Sequence, residues 1–170
     1  MCGIIGIVSR PPTRATPDAA DLLGVLDTAI EAAGAGDLAA AGGRARDADR
    51  ALRGLPGVLA LVSHIELSAA ITLRLDRLDA IVLEAEQRLD ANTAGLDAEA
   101  LERSNAELIA AKDALWAIRQ DRLRTAREVE ALAGRDAPVS ALGGYLAVQQ
   151  AFSAIDRLEV RGRDSAGLHV

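Results

Sequence analysis

The sequence predicts a mainly α protein built around a long antiparallel helical hairpin. Three observations predict it. Hydrophobic residues make up 50% of the 170-residue chain but aromatics only 2%. The apolar weight therefore lies in Ala, Leu, Val and Ile, which suits helices packed through small and aliphatic side chains better than a β-sandwich. Second, Ile71, Leu75, Leu78, Val82, Ala85 and Leu89 alternate spacings of four and three, a heptad seam with charged residues on the remaining faces. Third, the turn signal "DANTAGLD", with Asp97 as cap, leads into Leu101, Leu108, Leu115, Ile118, Val129 and Leu132 at compatible spacing. Arg122 occupies one core-type position and interrupts that seam. Each helix, at about 35 residues, would be about 50 Å long, and so short a connection favours an antiparallel pair.

The other elements follow in order. Residues 2–8 are apolar, with two glycines and several β-branched side chains, and read as a buried strand. "SRPPTRATP" breaks it. Thr16-Pro17-Asp18 reads as a helix start, with a hydroxyl cap, proline at the first helical position and an early carboxylate. That helix is expected over 18–33, stopped by "GAGD", and a weaker one carrying Gly42 and Gly43 runs to about Leu52. After "GRDAP" a third clear helix starts near Ser140. Leu142, Leu146, Phe152, Ile155 and Leu158 form its apolar side, and Gly162 is placed to end it. "AGLHV" then reads as the beginning of a strand.

Composition limits the function classes. The net charge of −6 argues against nucleic acid as a partner, because binding it requires neutralising phosphates. One cysteine excludes a disulfide framework or a multi-cysteine zinc site, and His64 and His169 are too few to suggest metal ligation; neither metal nor cofactor is expected. No apolar run has the length of a membrane span, and the start lacks the basic leader and long apolar core of a secretory signal. A cytoplasmic protein without a membrane partner is expected. His64 reads as an interface histidine, Trp116 as packing of the hairpin, and "RQDRLRTAR" as a solvated helix face.

Cys2 carries the most chemistry. Removal of Met1 would leave it with both a thiol and a free α-amine, whose reference pKa of about 7.7–8.0 keeps part of it basic near neutrality. One residue then holds nucleophile and base for covalent acyl transfer. Taken alone, a cysteine in an apolar strand reads first as a small buried hydrophobe.

The two ends together resemble one family. "MCGIIGIV" with the later "RLEVRGRDSAG" is similar to the class II, N-terminal-nucleophile glutamine amidotransferases. Arg157-Leu158-Glu159, Arg161-Gly162 and Asp164-Ser165-Ala166-Gly167 look most like the glucosamine-6-phosphate synthase type. Val160 and Arg163 stand where that type has tyrosines. The resemblance covers residues 2–8 and 154–170. It implies a partial amidotransferase domain from residues 1–10 and 139–170, an incomplete α+β αββα fold, with residues 11–138 as a helical insertion. It further implies that Cys2 attacks the carboxamide of glutamine, the substrate, and that Arg161 and Gly162 line the glutaminase pocket. The ammonia would serve amino-sugar synthesis from fructose 6-phosphate.

The family's Asn-Gly oxyanion donor has no counterpart, since Asn92 and Asn105 both lie in the hairpin and neither precedes glycine. The chain is therefore expected to be the first part of a larger enzyme, inactive alone, whose partners are the missing glutaminase and sugar-isomerase regions. Two alternatives stand beside this. One is a non-catalytic coiled-coil interaction module, with the hairpin offering a face for homo-oligomers. The other is an amidotransferase with a different ammonia acceptor.

Overall fold

The computed structural model describes residues 6–8, 10–91 and 97–158. Helices account for nearly all of them, in the order α1 (Ala19–Gly34), α2 (Leu38–Ala51), α3 (Gly54–Ser63), α4 (Ile65–Ala91), α5 (Ala98–Trp116), a π-helical segment (Ala117–Leu123), α6 (Arg124–Ala133) and α7 (Val139–Leu158). No strand occurs among the described residues. The mainly α reading holds. The αββα part has no support in them: of the strand expected over 2–8, the described residues 6–8 have no regular structure, and Ile7 and Val8 are exposed. Nothing in the described chain buries those two side chains against the helices, and no sheet is built from them.

Helix starts are set by carboxylates. Asp18 caps α1 by accepting from the backbone N–H groups of Ala20 and Asp21. The cap is thus the aspartate, two residues beyond the expected threonine hydroxyl, because a carboxylate both bonds the orphan donors and faces the positive end of the helix dipole. Asp37 and Asp97 do the same for α2 and α5. Gly36 lies between α1 and α2 at φ 85°, in the left-handed region that admits glycine readily.

The heptad seam of α4 is buried as expected: Ile71, Leu75, Leu78 and Val82 are at most 1% exposed. They pack in the larger core with Leu22 and Leu26 of α1, Ala41 and Ala45 of α2, and Leu108, Leu115 and Ile118. The first long helix is nevertheless two. His64 closes α3 at φ −130° and ψ 86°, outside the helical region, and α3 and α4 meet at a bend of 105°. His64 is exposed at this corner rather than packed in an interface.

The second long helix is continuous from Ala98 to Ala133, with the π-helical segment in its middle. Its pairing with α4 is antiparallel: Lys112 pairs with Glu86, and seven residues later Arg119 pairs with Asp79 and Asp76. One heptad forward on α5 is one heptad back on α4. Burying one leucine contributes about 1.5–3 kcal/mol, against about 0.2–1 for an exposed ion pair. The seam therefore drives association and the ion pairs fix register.

Small residues let α2 lie close to α5. A Cβ on Gly42 would stand 3.3 Å from the backbone nitrogen of Ala111. A second, smaller core holds Val58 of α3, Val129 of α6, and Leu142 and Leu146 of α7. Leu132, expected in the seam, is 41% exposed, because the wider π turn rotates the buried face of α6 away from α4 toward α3 and α7.

Candidate functional site

Cys2, Arg161 and Gly162 lie outside the described residues, as do Asp164, Ser165 and His169. The described chain does show where the two end blocks join the helices. On the N-terminal side, the Arg14 guanidinium donates to the backbone carbonyls of Arg50 (2.7 Å) and Arg53 (2.5 Å). These carbonyls lie at the turn between α2 and α3, a turn made possible by Gly54 at φ 68°. On the C-terminal side, Ser153, Ala154 and Asp156 of α7 line a 650 Å³ cleft whose opposite wall includes Leu52 and Gly54 of the same turn. The α2–α3 turn thus receives Arg14 and lines one cleft with Ser153, Ala154 and Asp156 of α7.

That corner is built on a buried carboxylate. The Asp49 side chain is 4% exposed and accepts from Arg122 Nε at 2.7 Å, and from Arg53. Arg122 sits in the π-helical segment. Its place in the apolar seam is thereby explained: the guanidinium crosses to α2 and meets a charge there. Asp49 and Arg122 are 73 residues apart, so their pairing could not be found from local spacing. The signal available was an arginine where a leucine was due.

The cleft's other wall ties α6 to α7. The buried Gln149 amide donates to Glu128 Oε2 and to Ser153 Oγ. Arg124 Nε donates to Glu128 Oε1 at 2.7 Å. Partial burial is the largest single influence on the Glu128 carboxyl and pushes its pKa up. The hydrogen bonds from Arg124 and Gln149, with the charges of Arg124 and Arg127, together outweigh it and hold the group below its ordinary value. The same hydrogen bond raises the Arg124 pKa. Trp116, expected to pack the hairpin, instead stands 57% exposed at the cleft wall, because its position falls outside the buried stripe of Leu108 and Leu115.

Chemically, this arrangement positions rather than reacts. Arg122, Arg124 and Glu128 hold partners within the fold, and the described residues contain no cluster of three or more His, Cys, Asp or Glu suited to a metal. No single helix among the described residues is long and apolar enough to cross a membrane. No family model, curated protein or solved structure matches this chain.

Proposed function

We propose that the chain supplies the nucleophile-bearing part of a class II glutamine amidotransferase of the glucosamine-6-phosphate synthase type. The observation that carries this reading is the pair of end blocks, "MCGIIGIV" and "RLEVRGRDSAG", in that order. The α2–α3 turn supports it: within the helical stretch between the two blocks, Arg14 bonds to this turn and Ser153 and Asp156 of α7 line one cleft with it.

In this reading Cys2, freed of Met1, adds its sulfur to the carboxamide carbon of glutamine, and its own α-amine takes the thiol proton and delivers it to the departing ammonia. Water then cleaves the thioester, giving glutamate and restoring the thiol. Arg161 and Gly162 border the pocket that holds glutamine. The oxyanion donor, the grip on the amino-acid end of glutamine and the sugar-phosphate acceptor site come from polypeptide outside this chain, which alone does not turn over. A cytoplasmic location goes with this role.

The test is mass measurement combined with a glutamine-mimicking electrophile, applied to the chain alone and with the polypeptide encoded directly after it. Loss of Met1 and stoichiometric labelling of Cys2, competed by glutamine, are expected once the downstream polypeptide is supplied. Retained Met1, or no labelling under that condition, overturns the proposal. A second reading, a helical interaction module, is favoured by Leu73 and Ile109, which are 70% and 59% exposed on the hairpin. It predicts that Cys2 never labels and that the chain self-associates through the hairpin.

A further inference from the structure

The ion pairs between α4 and α5 fix what the outer face of these two helices presents. Lys112 bonds to Glu86, and Arg119 bonds to Asp79 at 2.9 Å and to Asp76 at 2.7 Å. Leu83 lies three residues before Glu86 and four after Asp79, so it shares their side of α4. Trp116 lies four after Lys112 and three before Arg119, and Ile109 lies three before Lys112, so both share that side of α5. The register of the ion pairs puts Leu83 level with Trp116. All three apolar side chains stand open: Leu83 is 51%, Trp116 57% and Ile109 59% exposed. The face is thus an apolar centre rimmed by charge, with the acids on α4 and the cations on α5. An aromatic anchor inside a polar rim is the composition of a protein contact surface.

We propose that this face binds the same face of a second copy of the chain, about a twofold axis parallel to the helices. The charge pattern selects both the partner and its orientation. Around the apolar centre two carboxylates, Asp79 and Glu86, balance two cations, Lys112 and Arg119, so a second copy meets no net charge there. Turning that copy end over end would lay α4 on α4 and carboxylate on carboxylate. Turning it about an axis along the helices lays each α4 on the α5 of the other copy instead. Because α4 and α5 share one antiparallel register, this rotation keeps every residue at its level. Glu86 then faces Lys112 of the second copy, Asp79 faces Arg119, and Leu83 meets Trp116. Each cation lies between a carboxylate of its own chain and one of the other. The four helices have only antiparallel neighbours, as in an up-down bundle. The inference deepens the interaction-module reading by naming its partner, and it does not depend on whether Cys2 reacts.

Charge reversal with complementation tests it, using the whole chain. Sedimentation should show a dimer, and the emission of Trp116, the chain's only tryptophan, should move to shorter wavelength as the dimer forms. Glu86→Lys and Lys112→Glu should each weaken association at least about tenfold, because like charges then face each other between the copies. An equimolar mixture of the two variants should associate again. Each α4–α5 contact between unlike copies then joins opposite charges, although the pair within each chain stays broken. That recovery also shows that both variants fold. Trp116→Glu should abolish the dimer, whereas Val139→Glu, at an exposed position of α7, should leave it intact. A chain that stays monomeric at about 1 mM overturns the proposal, as does a dimer that survives Trp116→Glu or leaves the emission unchanged. Single reversals that associate like the unsubstituted chain, a mixture that stays monomeric, or loss of the dimer in Val139→Glu overturn it equally. A monomer whose Cys2 labels sinks this inference and leaves the amidotransferase reading standing; a dimer whose Cys2 never labels does the reverse.

Discussion

Asp49 is the residue on which the corner turns, and its removal and its replacement should behave differently. With its side chain 4% exposed and two arginines bonded to it, Asp49→Ala leaves Arg122, itself only 20% exposed, without a counter-charge. The expected loss is about 3 kcal/mol, read as a shift in the urea midpoint. Replacing both partners, as Asp49→Leu with Arg122→Met, should cost less than Asp49→Ala alone, because no charge is then stranded. A double variant less stable than the single one would show that the pair contributes more than the charges cost to bury. Gly42 and Gly43 offer a second contrast on adjacent positions. A side chain at Gly43 meets nothing within 4 Å, so Gly43→Ala should stabilise by about 0.5–1 kcal/mol through helix propensity. Gly42→Val pushes against the backbone of Ala111 and should destabilise by about 1–3 kcal/mol. Equal effects would mean that α2 is free to move off α5.

At the level of elements, the tie between α6 and α7 is pH-sensitive in a definite direction. Glu128 is held below its ordinary carboxyl value by its hydrogen bonds from Arg124 and Gln149 and by nearby arginine charge, despite its partial burial. A group depressed in the folded state stabilises the fold above its unfolded value, about 4.3, and loses that contribution as pH falls through the folded value. The stability difference between the unsubstituted chain and Glu128→Gln should therefore be present at about pH 7 and shrink below about pH 4. A difference that persists unchanged in acid would assign the effect of the substitution to packing. The elements themselves were largely legible in the sequence, for a local reason. The seam of Ile71, Leu75, Leu78 and Val82 repeats within one helix, and burial follows from period alone. The 105° bend at His64 carries no glycine or proline at the break. The π turn at Ala117–Leu123 answers a partner 73 residues away. Neither feature carries a local breaker, so a reading of local spacing continues straight through both. The candidate site was legible only as residue types at the two ends; the ties around the α2–α3 turn are made by Arg14, Asp49 and Arg122 acting across the bundle.

The molecule as a whole has two apolar cores of unequal size. The larger joins α1, α2, α4 and α5 with Ala60 and Leu61 of α3, and the smaller gathers Val58 of α3 with parts of α6 and α7. The helix from Ala98 to Ala133 serves both, since Ala126 belongs to the first and Val129 to the second. The two cores should consequently open separately. Leu75 is fully buried in the larger core, and Leu142 is 4% exposed in the smaller, so truncation of either to alanine removes similar apolar area and should cost about 2–5 kcal/mol locally. The consequences should spread differently. Leu142→Ala should speed amide exchange in α7 and the last turn of α6, leaving α1, α2 and α4 at their original rates, as expected for a sub-global opening. Leu75→Ala should speed exchange in α1, α2, α4 and α5, because their slowest amides open only when the larger core does. If Leu142→Ala instead accelerated every helix to the same degree, the bundle would be one cooperative unit. The turn that binds Arg14 could then not move without the hairpin. If the effects stay separate, α7 and the smaller core can be loosened while the hairpin and the larger core remain intact.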